Sequence, residues 1–188
     1  MDKREFINFL NKIEQLKCNT RHSWTSSGRQ ESVAEHSWRL AVMAMLCKDE
    51  YPDLDINKVI KMCLIHDFGE AVTGDIPAFL KTAKDEIEEE KAVNILLAEL
   101  SEELAKELAE LFDEMNERKT PEAKLYKALD NIEALISHNE ADIATWLPRE
   151  YTENLTYGHN NSDWSEWTAQ LIEEVNKDSI EKIRRSQG

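Results

Sequence analysis

Four metal-binding side chains constrain the fold of this chain more than any other feature: His36, the adjacent pair His66 and Asp67, and Asp130. They are too far apart in sequence for one loop to hold them. If they serve one cation, three distant segments must meet with their ligand-bearing faces turned to a shared interior. The local patterns agree. His36 shares a helical stripe with Leu40, Met43 and Cys47, and His66 shares one with Val59, Met62 and Cys63. Asp130 lies one turn from Tyr126 and Ala134. A buried carboxylate is costly unless it is paired or binds a metal. Imidazole suits a borderline divalent cation, and carboxylate adds the countercharge. Taken singly, an inward His is an ordinary hydrogen-bonded core residue and an inward Asp an ion-pair partner or cap. Together they point to a mononuclear site for metal-assisted hydrolysis.

The rest of the chain fits a helical answer. Its 188 residues suit one domain with a sizeable core. Five Gly and four Pro leave little material for the turns of an all-β fold. Long runs of Glu, Lys, Ala and Leu favour helix, so the expected fold class is all-α. The formal net charge of −15 argues against a nucleic-acid-binding face and against an anionic membrane surface. A small anionic substrate is still allowed, because a metal and a few local cations outweigh acidic surface charge screened beyond about 8–10 Å. No apolar run reaches the ~18 residues of a membrane span, and the N-terminus is too polar for a signal peptide. Cys18, Cys47 and Cys63 are odd in number and widely spaced, as expected of reduced thiols in a cytoplasmic protein.

Periodicity predicts a helix over 3–17, a loop over 18–31, and a helix from a Ser32–Glu35 capping box to about 51. Asp55 caps a helix over about 56–70. Helices follow over about 84–98 and 101–117, the second capped by the SEEL run. Another starts at Pro121, in the first helical position, and reaches about His138. A polar loop spans 148–162 and a last helix 163–184. The run DEIEEEK reads as a solvated helix face. His138, two turns past Asp130, faces the site from further out, and His159 is solvated. The five tryptophans read as packing residues, except Trp24, a candidate base-stacking platform.

Glu70 lies one turn after His66 and projects from the same face, ~5–6 Å away along the helix. Asp75 follows in the turn GDIP, with Lys81 shortly after. Glu70 and Asp75 are the candidate catalytic carboxylates, orienting a water or accepting its proton. Their ordinary alternatives are a helix-end salt bridge and a turn-forming aspartate.

The segments ESVAEHSWRLAVMAM, CLIHDFGEAVTGDIP and AKLYKALDNIEALI closely resemble HD-domain phosphohydrolases. The nearer likeness is to the small HD-domain nucleoside 5'-monophosphatases and the HD-domain-containing protein 2 group, over about residues 7–172. The resemblance implies a single HD-domain helical bundle over 1–188, with a metal-binding core at about 18–138 and a C-terminal helical extension. It implies that His36, His66, Asp67 and Asp130 bind one divalent metal, a transition metal such as Co, Mn, Zn, Ni or Fe. Relatives use a basic residue in the loop before the first metal-binding His. Arg21 stands there, and would contact the substrate phosphate with the aid of Lys81. His22 replaces an aromatic neighbour found in some relatives. The resemblance also suggests a homodimer.

No histidine lies between Asp75 and Asp130, where two-metal HD enzymes take extra ligands, so one metal is expected. The reading is a phosphomonoesterase acting on nucleoside or deoxynucleoside 5'-monophosphates. The alternatives are a nucleoside triphosphate or alarmone pyrophosphohydrolase, and a metal-dependent nucleotide-binding module of low turnover. Sequence leaves open which of Glu70 and Asp75 is the base.

Overall fold

A computed structural model describes residues 1–187, and among these helix dominates. The chain forms α1 (Lys3–Ile13), α2 (Gln15–Cys18), β1 (Thr20–Trp24), β2 (Gln30–Ser32), α3 (Val33–Leu46), α4 (Ile56–Ile65) and α5 (Glu70–Thr73). There follow α6 (Ala83–Leu97), α7 (Glu102–Glu117), α8 (Pro121–Glu140), a 3-10 turn at Ile143–Thr145, α9 (Glu150–Glu153), α10 (His159–Ser162) and α11 (Glu166–Ser186).

The axis of the bundle is α8. Thr120 caps it by accepting from the Ala123 N–H at 3.2 Å, with Pro121 in the first turn. It packs against α3, α4, α7, α10, α11 and β1. One side of α8 supplies Ala123, Leu125 and Leu129 to a core with Leu40, Val59, Met62 and Cys63. Its C-terminal half supplies Ile132 and Leu135, which pack with Ile172 and Val175 of α11. Burying a Leu or Ile fully is worth roughly 1.5–3 kcal/mol, so this two-sided burial locks α8 in place. No helix among the described residues is long and apolar enough to cross a membrane.

Several boundaries differ from the sequence expectation. The first helix breaks at Glu14 into α1 and α2. The expected loop at 18–31 is mainly an antiparallel hairpin, pairing Thr20 with Ser32 and Trp24 with Gln30. Its strands, TRHSW and QES, are polar and lack period-2 alternation; backbone pairing and the turn at Gly28 (φ 87°) make the hairpin instead. Ser101 occupies the cap position of α7 but makes no side-chain capping bond. The polar segment 148–162 contains the short helices α9 and α10, and α11 begins at Glu166. Trp38 is exposed rather than packed, whereas Trp146 is buried and Trp164 stacks on Tyr51. His159 is not free in solvent: its Nε2 lies 2.6 Å from Asn176 Nδ2.

The helix that carries His66 stops at Ile65, and tight turns follow. The Phe68 N–H donates to Ile65 O at 2.9 Å and Glu70 N–H to Asp67 O at 3.0 Å. This bend separates α4 from α5 and turns successive side chains of His66, Asp67 and Glu70 toward one region. Gly69 sits at its centre because α6 passes against it. A Cβ there would lie 2.7 Å from Glu89 Cγ and 2.9 Å from Glu89 O. A second close approach fixes the C-terminal segment: Gly158 (φ 79°) faces Asn131, whose Cβ would be 2.6 Å from an added Cβ.

Candidate metal centre and substrate cleft

Three elements deliver the donor atoms: α3 brings His36, the α4–α5 bend brings His66 and Asp67, and α8 brings Asp130. His36 Nε2 lies 3.1 Å from Asp130 Oδ1 and 3.3 Å from His66 Nε2. His66 Nε2 lies 3.0 Å from Asp67 Oδ2 and 3.7 Å from Asp130 Oδ1. Ligands held about 2.0–2.2 Å from one cation sit roughly 3–3.5 Å from one another, so these separations match the edges of a coordination shell.

The outward nitrogens of both imidazoles are occupied. His66 Nδ1–H donates to Cys63 O at 2.9 Å, and His36 Nδ1 is bonded to Glu133. Each ring is thereby oriented with Nε2 free to face the shared point, the arrangement by which proteins hold metal-binding histidines. The donor set and its orientation fit a divalent cation.

The electrostatics point the same way. Burial alone would raise the Asp130 carboxyl, but Lys127 and the two histidines hold it well below the usual carboxylate range. Lys127 Nζ stands 2.6 Å from Asp130 Oδ2. Burial likewise works against the Asp67 carboxylate, and His66, His36 and Arg21 overcome it. Burial and Arg21 oppose charge on His36, yet its bonds to Asp130 and Glu133 bring its pKa up to about 9.

Glu70 is buried, and its Oε2 has no hydrogen-bond partner among the described residues. Carboxylate oxygens of Asp67, Glu70 and Glu89 come within 4.8 Å of one another. Burial, then Asp67, Asp75 and Glu89, push the Glu70 carboxyl up to about 10. Asp75 is pushed up by burial, against the pull of Arg21 and Lys81. Lys81 is ion-paired with Glu89, which turns inward from an otherwise solvated α6 face.

Arg21 lies on β1 over the centre. Its Nη1 is 3.6 Å from both Glu31 Oε2 and Glu133 Oε2 and has no hydrogen-bond partner. Arg21 and Asp75 also line a cleft walled by His22, Phe79, Leu135, His138 and Tyr157. Glu150 and Asn154 close its far side. His22 Nε2 lies 3.0 Å from Glu150 Oε1, and Arg149 sits 4.5 Å over the Phe79 ring, joining the 75–81 loop to α9. Trp24 does not line the cleft; it meets His22 edge-on at 5.1 Å between ring centroids.

Sequence reasoning missed Glu133, Glu31, Glu89 and Glu150. Glu133 carried a readable signal: Asp130, Glu133 and Ser137 form a polar line at helical spacing on the face of α8 that also buries Leu129 and Ile132. The other three depend on tertiary approach and left no local mark.

The comparisons with known proteins agree with this centre. The 5'-deoxynucleotidase HDDC2 of Homo sapiens is 36% identical over 141 residues, 73% of this chain and 68% of that protein. The protein of the same name from Xenopus laevis is 30% identical over 191 residues, 98% of this chain and 94% of the relative. A crystal structure described as a predicted metal-dependent phosphohydrolase, from Magnetospirillum magnetotacticum, superposes with a TM-score of 0.81 at 29% identity. It covers 95% of this chain and 93% of its own. The HD domain family matches residues 13–172, and the chain belongs to that family.

Proposed function

We propose that this protein is a metal-dependent phosphomonoesterase that hydrolyses nucleoside or deoxynucleoside 5'-monophosphates to nucleoside and phosphate. One observation carries the reading. Two imidazole Nε2 atoms and the Asp130 carboxylate converge within 3.7 Å beside Arg21, which also lines the cleft. A phosphoryl group bridging the centre and Arg21 leaves its organic part in that cleft. The names of the curated relatives favour a nucleotide as the substrate, with a deoxyribose sugar in their case.

His36, His66, Asp67 and Asp130 would hold one divalent cation, which we assign to the transition series because two of the four donors are imidazoles. When bound, it supplies Lewis acidity toward the phosphoryl group. Arg21 offsets charge on the phosphoryl oxygens. Its cationic form is secure, since the surrounding Asp67, Glu133 and Asp130 outweigh its burial. Glu70 sits deep, next to Asp67, so we assign it to the attacking water. Asp75 lines the cleft from which the nucleoside departs, so we assign it to the leaving 5'-oxygen. Each acts by holding or moving a proton at that oxygen. Phe79 and Leu135 offer apolar surface to the nucleoside, and Lys81 adds positive charge behind Glu89.

We further infer a cytoplasmic homodimer that engages neither nucleic acid nor membrane. The test is a nucleotide panel on chelator-stripped protein reloaded in turn with Co, Mn, Zn, Ni and Fe. Release of orthophosphate together with free nucleoside supports the reading. Release of pyrophosphate, or nucleotide binding without turnover under every metal, overturns it.

A further inference from the structure

Beneath the four donors lies a layer of buried charge that the hydrolytic scheme does not use. Its centre is Glu133, fully buried on α8. One oxygen, Oε2, meets His36 Nδ1. The other, Oε1, accepts from Arg39 Nε at 2.6 Å and from the Ser137 hydroxyl at 3.2 Å. Arg39 is pinned in turn by Glu140 Oε2 at 2.5 Å.

The contact with Arg21 is of a different kind. Glu133 Oε2 and Glu31 Oε2 each stand 3.6 Å from Arg21 Nη1, beyond hydrogen-bond range. The guanidinium is therefore steered by charge from two buried carboxylates, while its Nη1 donor stays uncommitted. An incoming phosphoryl oxygen would find that donor already aimed and already desolvated.

We propose that Glu133 is a positioning residue that ties the metal ligand His36 to Arg21, so that one buried carboxylate sets both cation retention and affinity for an anionic group. Glu31 serves only the second task, since no hydrogen bond joins it to His36 among the described residues. Arg39 acts from the far side by fixing Glu133 itself. The inference rests on the proposed function for the identity of the anion but not for the coupling.

The experiment compares Glu133→Gln and Glu31→Gln with the unaltered protein. Chelator-stripped protein is titrated calorimetrically with manganese, and the metal-loaded protein with inorganic phosphate. Far-UV circular dichroism and thermal unfolding report folding. Glu133→Gln should weaken manganese binding roughly 10–100-fold, the range found for outer partners of metal ligands, and weaken phosphate binding as well. Glu31→Gln should weaken phosphate binding and leave manganese binding unchanged. In a nucleotide assay at saturating metal, both variants should show a raised KM with kcat largely kept, a split that a general loss of packing would not produce. The proposal is overturned if folded Glu133→Gln keeps either affinity, or if Glu31→Gln moves manganese binding as far as Glu133→Gln does. Should Glu133→Gln not fold, Arg39→Gln replaces it and must show the same paired weakening; unchanged affinities there overturn the proposal equally. Lack of nucleotide turnover by the unaltered protein would sink the nucleotidase reading while leaving both titrations interpretable.

Discussion

Lys127 Nζ lies 2.6 Å from Asp130 Oδ2, one turn away on the same helix, so a candidate metal ligand carries its own countercharge. In a centre that also gathers Asp67, this cation limits repulsion between carboxylates until a metal arrives. Replacing Lys127 by Met should destabilise the metal-free protein by about 2–3 kcal/mol, the scale for breaking a largely buried ion pair. Added metal should recover much of that loss, because a cation then neutralises Asp130. Thermal unfolding with and without manganese should show a larger metal-dependent rise in Tm for the variant than for the unaltered protein. An equal rise in both would remove Lys127 from this role.

Asp67→Ala should abolish metal content and phosphate release together. The substitution removes the donor 3.0 Å from His66 Nε2 and leaves the apolar core untouched. Metal analysis of the purified variant beside its activity is the check. Activity without bound metal would dismantle the mechanism.

Arg21→Ala should act on substrate rather than on metal. Hydrogen bonds to charged groups are worth about 1.5–3 kcal/mol, so kcat/KM should fall roughly ten- to hundredfold at full metal occupancy. Bound metal should stay the same, because Arg21 is a neighbour of the donors and not one of them.

Metal affinity should depend on pH through His36. Bonds to Asp130 and Glu133 raise its pKa to about 9 against burial and Arg21, so below that value a proton competes for the ring. A cation must displace this proton to use Nε2. Affinity should therefore rise with pH until about 9 and then level off. Manganese titrations from pH 6 to 10 test this; a flat profile would exclude His36 as a ligand.

Gly69→Ala should destabilise the protein by about 1–3 kcal/mol, as overpacking does. The added carbon would fall 2.7 Å from Glu89 Cγ and 2.9 Å from the Glu89 carbonyl, so the backbone of α6 must move. Because Glu89 pairs with Lys81 and approaches Glu70, activity should fall along with Tm. A variant with unaltered Tm would mean that α6 yields without strain.

The helices and their caps were legible where the chemistry is local. The Ser32–Glu35 capping box forms with both reciprocal bonds, and Asp55 accepts from Lys58 N–H at 3.0 Å. The inward faces of His36, His66 and Asp130 followed from helical period alone. The β1–β2 hairpin was not legible, because its side chains are polar on both faces and only the backbone pairing defines it. Neither was the far wall of the cleft. Glu150 gains its place through a bond from Leu147 N–H at 2.6 Å and its approach to His22, contacts made across more than a hundred residues of chain. Such meetings are decided by how α8 and α11 pack, and no short window of sequence contains them.

Gly158, pressed against Asn131, fastens the 150–157 stretch to the central helix, and that stretch supplies one side of the chamber beside Arg21. A polypeptide halted after α8 would keep every donor for the cation and the guanidinium above it, yet leave the chamber open to bulk water. Reactivity and selectivity therefore reside on separate portions of the chain. Divergence could reshape what is admitted without disturbing the machinery that cleaves it.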